Sequence, residues 1–210
     1  VGLGVLLQIM QQLTGINVVM YYAPRIFAGM GFGGGAQMWA TATVGLVNML
    51  ATFAAIGLVD RWGRRPILYL GFAVMAASLG VVGALMQVGT PTHALQAAAV
   101  AALLIFIAGF AMSAGPMVWT LCSEVQPLRG RDFGIACSTF GYWIVNMVVG
   151  ASFLSLLDGI GTAWTFWLYA ALNLAFVAFT RAWVPETSGA TLEHIEQRLM
   201  AGLPLRELGR

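Results

Sequence analysis

The sequence predicts an all-α membrane protein, a bundle of six transmembrane helices, and three observations carry that prediction. Hydrophobic residues make up 60% of the 210 and charged residues only 9%, with a mean hydropathy of +0.84. A water-soluble domain carries roughly a quarter charged residues because its surface must be wetted; here the charge is too sparse to cover a globule. Apolar runs of about 20 residues, each long enough to cross a bilayer, recur six times. The arginines then fall on one side. If both ends of the chain are cytoplasmic, Arg61, Arg64, Arg65, Arg129, Arg131, Arg181, Arg198, Arg206 and Arg210 are cytoplasmic, and Arg25 lies opposite. That asymmetry orients the bundle.

The first span, residues 1–28, contains "QIMQQLTGINVVMYYAP". At about 100° per residue, Gln8, Gln11, Gln12 and Tyr22 share a sector roughly 100° wide. Asn17 stands about 140° from Gln12 on a regular helix. Gly15 lies between them, and a break there brings Asn17 onto the polar face, as discontinuous helices do in transporter sites. Amides in hydrocarbon need partners, and one amide alone reads as a helix-to-helix hydrogen bond. Three on one face beside a possible break favour a site for a neutral, hydroxyl-rich ligand, because an amide both donates and accepts.

The second span, 36–59, holds Asn48 near its middle. "GFGGG" before it lacks the Lys-Ser/Thr of a phosphate-binding loop and reads as a flexible external turn. The third span is 66–87. The fourth, 95–122, contains "SAGPMVWTLCSE", where Gly115-Pro116 interrupts the backbone ladder and Trp119 follows one turn later. Trp119 is either a packing residue or a platform for the apolar face of a sugar. The fifth span, 133–157, puts Tyr142 and Asn146 on one face. The sixth is 163–184. Residues 185–210 are polar, with Leu192, Ile195, Leu199 and Leu203 at helical spacing, which predicts a short surface helix. Trp39, Trp164, Trp167 and Trp183 fall near span ends, where an aromatic belt forms.

Charge gathers in the predicted loops: Asp60, Arg61, Arg64 and Arg65 in "DRWGRR", then Glu124, Arg129, Arg131 and Asp132 in "SEVQPLRGRD", and Glu186 after the last span. These residues anchor topology, or form an ion-pair network that holds one conformation and parts in another. Exposed pairs contribute roughly 0–1 kcal/mol each, so only a network biases such an equilibrium. His93 and His194 lie in polar segments, and no nucleophile–base or metal-ligand spacing occurs, so no enzyme, cofactor or metal is expected. No basic patch interleaved with aromatics points to nucleic acid. Cys122 and Cys137 read as small buried hydrophobes.

"QQLTGIN" followed by "YY", then "DRWGRRP", "GPMVW…SE", "RGR" and "PETSG", in that order over the whole chain, resemble the sugar porters of the major facilitator superfamily. Within that family the chain is most similar to the C-terminal half of bacterial galactose–proton and arabinose–proton symporters. The resemblance implies the C-terminal six-helix half of a 12-helix fold: residues 1–184 form the bundle, 185–210 a cytoplasmic tail, and the N-terminal half is absent from this chain. Val1, already inside an apolar run, fits an internal start.

By the same resemblance Gln11, Gln12 and Asn17 bind sugar hydroxyls, Tyr21 and Tyr22 close the outer side, and Asn48 and Trp119 line the cavity. Tyr142 and Asn146 join them on the reading of the fifth span. Asp60, Arg61, Arg64, Arg65, Glu124, Arg129, Arg131 and Glu186 form the cytoplasmic charge network. Two positions depart from the family pattern: Tyr142 stands where Asn or Gln is frequent, and Ser188 where Lys is usual. The implied function is secondary active transport of a pentose or hexose by alternating access, with a proton as coupling ion, in the inner membrane of the cell. The proton-binding carboxylate is expected in the N-terminal half. A facilitative sugar uniporter, a major-facilitator transporter of another small organic solute, and a non-transporting sugar receptor are the alternatives.

Overall fold

The computed structural model describes residues 1–29, 33–89, 92–126, 130–189 and 191–201, without the side chains of residues 29, 36, 37, 60, 61, 192, 193, 199 and 200. Among these the chain is helical and has no strand. Helices α1 (Gly2–Leu13) and α2 (Ile16–Gly29) make the first span, α3 (Gly34–Trp62) the second and α4 (Arg64–Val88) the third. Helices α5 (His93–Met112) and α6 (Ala114–Glu124) make the fourth, α7 (Arg131–Ile160) the fifth and α8 (Thr162–Trp183) the sixth. A short α9 (Leu192–Met200) follows, with Ile195 buried.

Two spans are discontinuous, for different reasons. The first breaks at Thr14 and Gly15, where Gly15 has φ +90°, a conformation that costs a non-glycine residue about 1–2 kcal/mol. The Thr14 hydroxyl turns back to donate to the Gln11 carbonyl at 2.7 Å. The fourth breaks at Ser113 (φ −129°, ψ −90°) and not at Gly115-Pro116 as expected. The reason is geometric. A proline ring clashes with the carbonyl four residues before it, which for Pro116 is that of Met112, so α5 ends there.

Loops are shorter than the charge pattern implied. Residues of the expected loop "DRWGRR" lie inside α3 and α4, which Gly63 alone separates; α7 and α8 likewise meet at Gly161. Both glycines have positive φ (+82° and +85°), so one residue reverses the chain.

The bundle closes on a core that includes Phe27, Phe72, Phe106, Phe153 and Phe166. Its most extensive contact is α4 against α8. A Cβ at Gly83 would lie 2.4 Å from Trp167 Cδ1, so the missing side chain makes room for the indole. Trp167 Nε1 donates to the Gly80 carbonyl at 3.2 Å. Trp167 is therefore also an interhelix contact and half-buried, whereas Trp39, Trp164 and Trp183 are exposed. Helices α3 and α7 leave broad apolar faces uncovered, with Leu50, Phe53 and Ile56 on one and Trp143, Met147 and Val148 on the other.

Candidate functional site

The polar groups of the first span converge where α1 gives way to α2. Gln12 and Asn17 belong to different helices once Gly15 breaks the ladder, and Asn17 Nδ2 donates to Gln12 Oε1 at 2.6 Å. It also reaches Asn146 Oδ1 on α7 at 3.3 Å, and Asn146 Nδ2 donates to the Tyr21 hydroxyl at 3.4 Å. Gln12, Asn17, Asn146 and Tyr21 thus form one string of neutral donors and acceptors halfway along the first span. The Tyr22 hydroxyl donates to the Gly150 carbonyl at 3.1 Å, and its ring rests on Phe153.

Gln11 has a different task. Its Nε2 donates to the carbonyls of Ala114 (2.9 Å) and Gly115 (3.0 Å), strapping α1 to the first turn of α6. Its Oε1 is buried without a partner among the described residues. Gln8 is fully buried, and both of its amide atoms are likewise unpartnered there. A buried polar atom left unpaired costs about 1–3 kcal/mol.

An aromatic row runs beside the string. Trp119 on α6 lies 5.4 Å from the Tyr142 ring, which meets Trp143 edge-on at 5.2 Å. Trp143, Asn146, Met147, Gly150 and Ala151 of α7, with Tyr21 and Tyr22 of α2, line an open recess of about 420 Å³. Trp143 escaped the sequence reading, although it lies three residues before Asn146 and so on the same helical face. Asn48 is half-buried on α3 and makes no side-chain hydrogen bond to a described residue. A larger recess of about 570 Å³ at Ile160, Trp164, Trp167 and Leu168 is lined by apolar surface and lies away from the amides.

No charged side chain joins the string, and no cluster of metal-ligating residues occurs among the described residues. The arrangement suits a neutral solute whose hydroxyls exchange for the bonds that the amides make with one another.

At the arginine-rich end, Arg64 Nη2 meets Glu124 Oε1 at 3.4 Å, with side-chain exposures of 19% and 15%. Arg64 Nη1 donates to Ser188 Oγ at 3.2 Å, and the Thr187 hydroxyl donates to Glu124 Oε2. Glu186 is used differently: its two carboxylate oxygens accept the backbone N–H groups of Arg64 (2.9 Å) and Arg65 (3.0 Å), capping α4 from the far end of the chain. The expected network is smaller as a result. With Glu186 engaged by backbone, Arg65 donates to the Arg181 carbonyl. Arg131 forms no ion pair with a described residue, and its Nε is buried unpartnered. Arg129 and the side chains of Asp60 and Arg61 lie outside the described residues. At the opposite end Arg25 and Asp158 approach to 3.9 Å, both exposed.

Comparison with known proteins follows the same lines. A family model described as "Sugar (and other) transporter" matches residues 1–199. The galactose-proton symporter of Escherichia coli (strain K12) is 61% identical over 210 residues, covering 100% of this chain and 45% of that protein. The arabinose-proton symporter of the same strain is 56% identical over 213 residues, with the same coverage. The solved structure of the proton:xylose symporter XylE bound to 6-bromo-6-deoxy-D-glucose superposes with a TM-score of 0.82 at 34% identity, over 91% of this chain and 41% of that one. An inward open conformation of XylE from E. coli gives 0.82 at 32% identity, over 94% and 41%. This chain thus spans a little under half the length of the relatives it matches.

Proposed function

Because the chain belongs to the family of sugar (and other) transporters, we propose that it forms the sugar-gripping half of a proton-coupled pentose or hexose symporter of the inner membrane. Alternating access moves a second six-helix half, N-terminal to this one, against it. The observation that carries the reading is the neutral string Gln12–Asn17–Asn146–Tyr21 beside the recess. Sugar hydroxyls replace these mutual hydrogen bonds, and the Trp119–Tyr142–Trp143 row offers rings to the apolar face of the pyranose. D-Galactose and L-arabinose are the first solutes to test, since the relatives named for them share more than half of the residues.

The uncovered faces of α3 and α7 suit contact with the other half and with lipid. The Arg64–Glu124 pair, with Glu186 and the tail, holds one closure of the cytoplasmic side and parts for the other. Both ends of this segment lie in the cytoplasm, a placement that the arginine asymmetry supports.

The test is uptake of labelled D-galactose and L-arabinose into vesicles that contain the full-length transporter, with and without a pH gradient. Accumulation that depends on the gradient supports symport, equilibration without it indicates uniport, and no uptake of either sugar defeats the reading. In the same protein Gln12→Ala removes an acceptor whose loss is worth about 1–3 kcal/mol, so sugar affinity should fall roughly 5- to 150-fold. Unchanged affinity would remove Gln12 from the site.

A further inference from the structure

Helix α8 contributes no residue to the amide string, yet it touches the place where the string is made. Asn173 is fully buried on α8. Its Nδ2 donates to the carbonyl of Tyr169 one turn earlier (2.8 Å) and to the carbonyl of Thr14 (3.1 Å), at the break between α1 and α2. Four residues before Asn173, on the same face, Tyr169 lays its buried ring against Gly15. A Cβ on that glycine would lie 3.0 Å from Cδ1 and 3.1 Å from Cγ. The two residues at the break are therefore each held by one α8 side chain, Thr14 by a hydrogen bond and Gly15 by a ring.

We infer that Asn173 and Tyr169 are positioning residues for the proposed sugar site: they pin the Thr14–Gly15 break and so hold Asn17 within hydrogen-bond reach of Gln12. The inference rests on the sugar-site reading above and adds the residues that set its geometry. The physical case begins with what an unbroken helix would do. It would carry Asn17 about 140° away from Gln12, whereas the observed separation is 2.6 Å.

A break leaves backbone groups unpaired in a medium without water, so it persists only where something else satisfies them. Asn173 supplies a donor to one such carbonyl, and the Tyr169 ring fills the notch that glycine leaves. The pin has a firm backing, because α8 is packed along α4 through Phe72 and Phe176, whose rings lie 5.6 Å apart, and through Trp167 over Gly83.

The test uses the full-length transporter and equilibrium binding of D-galactose. Asn173→Leu keeps the approximate volume and removes the donor, and sugar affinity is expected to fall about tenfold. Asn17→Ala should weaken binding to a similar degree. The deciding measurement is the double variant. If Asn173 acts by placing Asn17, removing both costs no more than removing Asn17 alone, within about twofold. A role in general stability leaves the two losses independent, so that they multiply, and that result overturns the inference.

Asn173→Ala, which also removes the donor to the Thr14 carbonyl, makes the same comparison if the leucine variant fails to reach the membrane. If Asn17→Ala binds D-galactose normally, the sugar-site reading fails and the inference with it. If Asn17→Ala weakens binding and neither Asn173 variant does, the inference alone fails.

Discussion

Replacing Gly15 by alanine probes the site without removing any hydrogen-bonding group. The residue has φ +90°, which adds about 1–2 kcal/mol of backbone strain for a side chain with a Cβ. The new methyl also meets the Tyr169 ring at 3.0 Å. That ring is buried and has little room to retreat, so overpacking adds about 1–3 kcal/mol. Together these disfavour the broken conformation by roughly 2–5 kcal/mol relative to a continuous helix, which alanine itself promotes by a further ~1 kcal/mol.

For a bias of ~2 kcal/mol, D-galactose affinity of the full-length transporter should fall by up to about 30-fold. Equilibrium binding to purified protein measures this directly, and abundance in the membrane controls for folding. Adding Tyr169→Ala to Gly15→Ala should relieve the contact and leave the backbone strain, recovering part of the loss. Unaltered affinity in Gly15→Ala would show that the break does not set the position of Asn17.

Other substitutions separate packing from switching. Arg64→Ala removes both the pair with Glu124 and the bond to Ser188, so a cysteine probe near the arginine-rich end should label faster; unchanged labelling would count against the proposed role of the pair in closing that end. Gly71→Ala places a Cβ 1.8 Å from Ser113 Oγ and forces α4 away from the break in the fourth span, lowering stability by about 1–3 kcal/mol in a thermal melt. Gly57→Ala, also inside a helix but with open space around it in this chain, is the matched control and should melt no lower than the parent. Asp158→Asn removes an exposed pair at 3.9 Å, side chains 58% and 75% exposed, and should alter neither the melt nor transport; a clear loss of either would assign that pair a role.

The six spans were legible because a bilayer imposes a length and an apolarity that few other environments demand. The first break was legible too: Asn17 sat off the polar face, and Gly15 offered a way to bring it back. Pro116 betrayed the second break but misplaced it, since the conflict of a proline lies with the carbonyl one turn upstream. The charged junctions misled, because arginine and aspartate read as loop while Gly63 and Gly161 reverse the chain alone. Gln11 shares a sequence face with Gln8 and Gln12, and only the approach of α6 gives it backbone carbonyls to strap. Asn173, a single amide in an apolar run, carried no signal beyond its own polarity; its partner lies 159 residues away. Glu186 capping α4 across 122 residues is equally a tertiary fact.

That cap gives the arginine-rich corner two attachments of different kinds. The carboxylate of Glu186 accepts from two main-chain nitrogens at once, which ties the segment after α8 to the start of α4. Arg64 reaches Glu124 side chain to side chain, with the guanidinium also donating to Ser188. A swap of charge at position 64 should therefore break the side-chain pair with Glu124 while leaving the main-chain cap by Glu186 in place.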